Sequence, residues 1–111
     1  VYKLSNYINK DKEVIPQAII DKAPSAELHP GQKDQDRLPE YEVLDDIIEM
    51  YAEKNKPFEE IYAKYDKSLV DEVVKKIYRM QFKRHQCCLG VRLTERSFCN
   101  GLNLPIVQKF Y

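Results

Sequence analysis

What this 111-residue chain lacks narrows its chemistry first. Its three glycines, Gly31, Gly90 and Gly101, are scattered. The common nucleotide fingerprints need glycines gathered in one loop, so that backbone N–H groups can approach a phosphate, and no such loop is present. There is no H-E-x-x-H zinc signature, and the two histidines, His29 and His85, lie far apart. No run approaches the roughly 20 consecutive apolar residues that a membrane-crossing helix needs. Cysteine is sparse and odd in number (Cys87, Cys88 and Cys99), so no disulfide framework is implied. His85 with the three cysteines could offer soft metal ligands, but neighbouring cysteines seldom reach one tetrahedral site and the spacing fits no usual zinc pattern. Free thiols in a reducing compartment are the expectation. Net charge is zero and no nucleic-acid module is visible, which argues against a dedicated nucleic-acid binder.

What is present is a soluble composition, 43% hydrophobic and 32% charged, able to bury a modest core. The charge is unevenly spread. Residues 1–67 hold 10 Lys/Arg against 15 Asp/Glu, and residues 68–111 hold 8 against 3. The two parts can attract each other, or the basic part can face an anionic ligand. The opening Val1-Tyr2-Lys3-Leu4-Ser5 reads as neither signal nor transit peptide. With no initiating methionine, the expectation is a segment excised from a longer protein, a pattern that a processed protein would share, and the free thiols place it in the cytoplasm.

Short helices are expected over 2–10 and 15–22, the second with Pro16 near its first turn and Ala18, Ile19 and Ile20 as an apolar patch. From Ala23 to Pro39 there are three prolines, one glycine and no sustained periodicity, so this stretch is a loop. Loops of this length inside compact domains tend to be functional lids or disordered. Leu44, Ile47, Ile48 and Tyr51 recur at helical spacing and predict an amphipathic helix over 40–54, with Asp45, Asp46, Glu49 and Glu53 on its other side. A break at Lys56-Pro57 precedes a short helix carrying Phe58, Ile61, Tyr62 and Tyr65. Ser68 reads as the cap of a last helix running to about Arg84, with Val70, Val73, Val74, Ile77 and Met80 as its core stripe. Lys75, Lys76, Arg79 and Lys83 form a basic flank, and residues 85–111 form a mostly extended tail. The fold class is therefore mainly α, with a long loop and an extended tail.

Catalytic constellations are scarce. Asp34 and Asp36, flanked by Lys33 and Arg37, could close over a phosphate-bearing ligand or simply be solvated. Lys83 and Arg84 sit in the last helical turn, where the macrodipole favours cations by about 0.3–1 kcal/mol with no ligand at all. One functional reading from these features is a stand-alone helical interaction domain whose basic flank holds an acidic partner.

The other reading comes from likeness. Pro24-Ser25-Ala26-Glu27-Leu28, Pro30-Gly31-Gln32-Lys33-Asp34-Gln35-Asp36, Leu38-Pro39-Glu40-Tyr41 and Gln81-Phe82-Lys83-Arg84 together resemble the C-terminal region of NAD synthetases. Ile15 to Lys22 fits as well, and Arg96-Ser97-Phe98 with Leu104-Pro105-Ile106-Val107 resembles the glutamine-dependent branch. The resemblance implies a piece of an α/β synthetase domain of ATP-pyrophosphatase type, with a parallel sheet flanked by helices. It implies a parent ligase in which ATP, with Mg2+, adenylates the nicotinate carboxylate of deamido-NAD and ammonia derived from glutamine displaces AMP. A glutaminase domain and a Ser-Gly-Gly-x-Asp-Ser loop belong to that pattern and are absent from these residues. Homodimers or larger assemblies are implied, with no nucleic-acid or membrane partner.

Carried over position by position, Ser25 corresponds to an ATP-side contact. Residues 24–40 correspond to a lid that orders over substrates and shields the acyl-adenylate from water, with Glu27, Asp34, Asp36 and Arg37 on it. Phe82 and Lys83 correspond to an aromatic–lysine pair at the deamido-NAD site. This chain has Phe where many members have His or Tyr, and Cys99-Asn100-Gly101 where many carry a Gly-Arg-Asp type of run. Cys87 and Cys88 stand where cysteine is unusual. No residue here is expected to be catalytic, and the isolated chain is expected to be inactive.

Overall fold

A computed structural model describes residues 1–88, 90–98 and 101–107. The chain divides into two compact units, Val1–Leu38 and Pro39–Tyr111. Among the described residues every regular element is helical, as the sequence pattern implied, and no strand occurs.

The first unit contains α1 (Tyr2–Ile8), α2 (Gln17–Asp21) and a single 3-10 turn, Asp34–Asp36. Asn9 joins the two helices. Its Oδ1 accepts the N–H groups of Val14 at 3.0 Å and Ile15 at 2.9 Å, and its Nδ2 donates to the Ile15 carbonyl at 2.7 Å. Pro16 precedes α2 as its cap, supplying an extended backbone where a lost N–H costs nothing. No residue of this unit is buried, and Leu4, Tyr7, Val14 and Ile19 remain well exposed.

The second unit holds all of the buried core. It comprises α3 (Tyr41–Ile48), which runs directly into a π-helical turn (Glu49–Glu53), then α4 (Phe58–Tyr62), α5 (Lys67–Arg79) and α6 (Gln81–His85). The apolar stripe of α5, Val70, Val73, Val74 and Ile77, follows the i, i+3, i+4, i+7 rule and is buried throughout. It packs in one cluster with Ile47, Ala52, Ile61 and Leu102.

Three details differ from the sequence expectation. The helix over 40–54 is not α to its end: Lys54 N–H reaches Glu49 O at 2.8 Å, five residues back. This wider turn lets Ile47 and Ala52, five apart, share the buried face, while Tyr51 is only half-buried. Secondly, Asp66 and not Ser68 caps α5, its Oδ1 accepting Leu69 N–H at 3.2 Å, and Ser68 lies inside the first turn.

Thirdly, the helix stops at Arg79. Met80 leaves the helical region with φ −95° and ψ 12°, and its side chain is 41% exposed, so it ends the stripe without joining the core. The N–H groups at the break bond the carbonyls of Lys76 and Tyr78, and the Ile77 carbonyl between them receives Arg84 Nη2 at 2.6 Å. A side chain entering the backbone ladder is an ordinary cause of such a kink.

Polar ties lock the elements of this unit. Asp46 Oδ2 accepts from Lys64 Nζ at 2.7 Å and Tyr65 Oη at 2.8 Å, and these two donors hold its carboxyl below the ordinary aspartate range. Tyr62 Oη donates to Asp71 Oδ1 at 2.7 Å. Burial, then the Tyr78 hydroxyl 3.2 Å away, push the Tyr51 phenol upward. The tail is tethered as well: Arg96 Nη1 donates to Asn55 Oδ1 at 3.4 Å while its Nε holds Gly101 O at 3.1 Å within the tail, and Leu102 is 7% exposed in the core. Gly101 admits no side chain, because a Cβ there would lie 2.5 Å from the Ser97 carbonyl oxygen.

Ile61→Ala should cost about 2–5 kcal/mol in chemical denaturation. Met80→Ala should cost well under ~1 kcal/mol, as surface positions do, and a large loss there would restore Met80 to the core.

Candidate functional site

Each candidate residue is set by its own unit. In the first unit, residues 22–33 bend round an open hollow of about 630 Å³. The bend closes where Asp34 N–H donates to Pro24 O at 3.0 Å. Inside it, Gln32 N–H donates to His29 O at 3.3 Å across Pro30-Gly31, and Gly31 has φ +72°. Proline second and a positive-φ glycine third form the pattern of a type II turn, so this glycine is conformationally required. Gln32 returns along the chain, its Oε1 accepting Leu28 N–H at 2.8 Å.

Ser25 and Glu27 both line the hollow. Ser25 Oγ accepts Glu27 N–H at 3.0 Å, a local side-chain turn that leaves the hydroxyl proton free to be donated. Glu27 sits at φ +52°, an uncommon conformation for a residue with a side chain, and it is ion-paired with Lys22. The Lys22 hydrogen bond, then its charge, holds the Glu27 carboxyl below the ordinary glutamate value.

Asp34, Asp36 and Arg37 do not line the hollow. Asp34 begins the 3-10 turn, its carbonyl accepting Arg37 N–H at 3.1 Å. Asp36 Oδ2 accepts Lys33 N–H at 2.8 Å, so this carboxylate stabilises the turn. Lys22, His29, Gln32 and Lys33 do line the hollow. His29 carried no sequence signal beyond its place in a Pro-Gly loop, and Gln32 stood inside the Pro30–Asp36 stretch of the resemblance without being marked as a site residue.

In the second unit Phe82 and Lys83 lie on α6 with exposed side chains. Their neighbours Gln81 and Arg84 turn inward: Gln81 is 1% exposed, and its Oε1 accepts from Arg84 Nε at 3.1 Å and from Nη2. The Arg84 guanidinium carbon also stands 5.0 Å from the Phe98 ring centroid, a cation–π contact to the tail. Of the basic flank, Lys76 is paired with Glu72 at 2.8 Å.

Cys87 Sγ bonds Lys83 O at 3.3 Å, and Cys87 and Cys88 are exposed free thiols. Cys99 lies outside the described residues. Among the described residues no group of three His, Cys, Asp or Glu side chains converges as a metal site. No helix among them is long and apolar enough to cross a membrane.

The NAD synthase family model matches residues 1–87. The chain belongs to the NAD synthase family. Its NAD synthase relatives include the glutamine-dependent NAD(+) synthetase of Thermotoga maritima, 41% identical over 113 residues, which cover 99% of this chain and 20% of that protein. The enzyme of the same description from Acinetobacter baylyi is 42% identical over 97% of this chain and 20% of its own length. That of Synechocystis sp. is 38% identical over 100% and 20%. A solved glutamine-dependent NAD+ synthetase from Acinetobacter baumannii, in complex with ADP, matches with a TM-score of 0.58 and 30% identity over 95% of this chain and 18% of that one. The chain thus spans about a fifth of the length of the curated NAD synthase relatives it matches.

The Lys22–Glu27 pair gives a pH test. Because the folded pKa of Glu27 is depressed, the pair's contribution is complete above the unfolded glutamate value and is lost as pH falls through the lowered one. An NMR titration of the Glu27 carboxyl should show its midpoint rising towards the ordinary glutamate value in Lys22→Met. An unmoved midpoint would refute the pairing.

Proposed function

We propose that this chain is the C-terminal portion of the synthetase domain of a glutamine-dependent NAD synthetase and supplies substrate-binding and lid residues to it. The observation that carries the reading is the match to those ligases along nearly the whole chain at about two-fifths identity. In the parent, ATP adenylates deamido-NAD and glutamine-derived ammonia displaces AMP to form NAD. A carboxylate is a poor electrophile, so activation has to precede amide formation.

Residues 24–40 act as the lid over that reaction, and Ser25 is its ATP-side contact. Support comes from the hollow in which Ser25 keeps a hydroxyl donor. Glu27, Asp34, Asp36 and Arg37 belong to this lid: Glu27 at the hollow, the other three shaping the turn at its base. Closing a lid excludes water, which would otherwise hydrolyse the acyl-adenylate. Phe82 and Lys83 contact deamido-NAD, an aromatic face for a base and a cation for phosphate or carboxylate. Their exposure on α6 supports this role.

Residues 85–111 form the tail of the domain. Magnesium enters as a companion of ATP, and among the described residues no three His, Cys, Asp or Glu side chains converge to hold it. The parent works as a cytoplasmic homo-oligomer, a dimer or larger, and the isolated chain is inactive. The basic flank of an independent interaction domain is less well supported, since Lys76 is already paired with Glu72.

Kinetics of the full-length protein test the assignment. Lys83→Ala should raise the KM for deamido-NAD or lower turnover by about tenfold, the scale of a lost charge-assisted hydrogen bond. Unchanged kinetics would remove Lys83 from the site. Excising residues 30–36 should depress turnover far more than the thermal midpoint, because no residue of the loop is buried. Equal losses in both would make the loop structural.

A further inference from the structure

The break between α5 and α6 is organised by one guanidinium. Arg84 Nη2 holds the Ile77 carbonyl at 2.6 Å, Nε and Nη2 hold Gln81 Oε1, and the Phe98 ring lies against the charge. The end of α5, the start of α6 and the tail therefore meet at a single side chain. Gln81 Nε2 is buried with no partner, a costly arrangement. Rotating the amide to relieve it would set NH2 against a guanidinium that has only donors, so the Arg84 contact dictates the amide's orientation.

α6 has five residues, too few to hold a direction of its own. Phe82 and Lys83 lie between Gln81 and Arg84, and their exposed side chains leave the opposite side of the same turn. Whatever fixes Gln81 and Arg84 fixes them too. We propose that Arg84 is a positioning residue for Phe82 and Lys83, acting through its clamp on Ile77 O and Gln81 and not by touching the ligand itself. This rests on the assignment of Phe82 and Lys83 to deamido-NAD made above. The planar fork matters, because Lys at position 84 could reach one of the two oxygens but not span both.

Steady-state kinetics of the full-length protein decide it, using Arg84→Ala, Arg84→Lys and Gln81→Met, each alone and in a Phe82→Ala/Lys83→Ala background. Arg84→Ala should raise the KM for deamido-NAD by about tenfold while leaving that for ATP within about twofold, and Arg84→Lys should fall between. In the doubly substituted background Arg84→Ala should add less than about twofold, since nothing is left to misplace. A merely structural loss would lower kcat through the active fraction and leave KM unmoved, which overturns the proposal. A full tenfold addition in the doubly substituted background means that Arg84 touches the ligand, and overturns it as well. If Arg84→Ala does not fold, Gln81→Met carries the same comparison, because it removes the carboxamide, and with it the Oε1 acceptor of Arg84, at near-constant volume. If Phe82→Ala/Lys83→Ala itself leaves the deamido-NAD KM unchanged, the site assignment fails and the positioning role falls with it. That result is distinct from the two in which the assignment stands and Arg84 alone is refuted.

Discussion

The apolar stripe of α5 is the constraint on which the second unit depends, for it is the surface that every other buried apolar side chain among the described residues contributes to covering. Val70, Val73, Val74 and Ile77 have no alternative way out of water, and Ile47, Ala52, Ile61 and Leu102 complete the same cluster from α3, its π turn, α4 and the tail. Burial of each of the valine, isoleucine and leucine side chains is worth roughly 1.5–3 kcal/mol, so the cluster outweighs any individual polar tie. The hydroxyl and carboxylate bonds of Asp46, Tyr62 and Tyr51 then select one arrangement among those that would cover the stripe. Asp46 illustrates the division: its partners Lys64 and Tyr65 come from just beyond α4, and two directional bonds set how that segment crosses α3.

Residue periodicity made the stripe of α5 and most of α3 legible, because burial on one helical face leaves a 3.6-residue signature. The end of α5 was not legible. Neither glycine nor proline marks it, and its cause is a side chain four residues beyond Met80 that folds back onto the Ile77 carbonyl. The π turn was hidden for a related reason. A five-residue spacing between Ile47 and Ala52 looks like a lapse of the pattern unless the backbone widens to accommodate it. Ser68 has a capping residue type but lies inside the first turn, and only backbone geometry moves the cap back to Asp66.

The candidate site was legible to a different degree in each unit. Proline and glycine in residues 23–39 announced a loop, but its shape comes from Asp34 N–H meeting Pro24 O and from Gln32 reaching back to Leu28, contacts with no periodicity. Ser25 and Glu27 were noticed through resemblance, and the hollow gives both a common surroundings with Lys22 and His29. Asp36, whose charge could meet a ligand or simply be solvated, accepts the Lys33 N–H of its own turn. In the second unit Phe82 and Lys83 were visible as a motif, whereas Gln81 and Arg84, within the same four letters, revealed their inward role only through burial and hydrogen bonding.

Val1–Leu38 buries no side chain among these residues, and it is held by local bonds such as those of Asn9. In the isolated chain such a stretch opens at little free-energy cost, whereas Pro39–Tyr111 opens only when its core does. A protease given the isolated chain therefore meets a soft leading segment and a harder helical remainder.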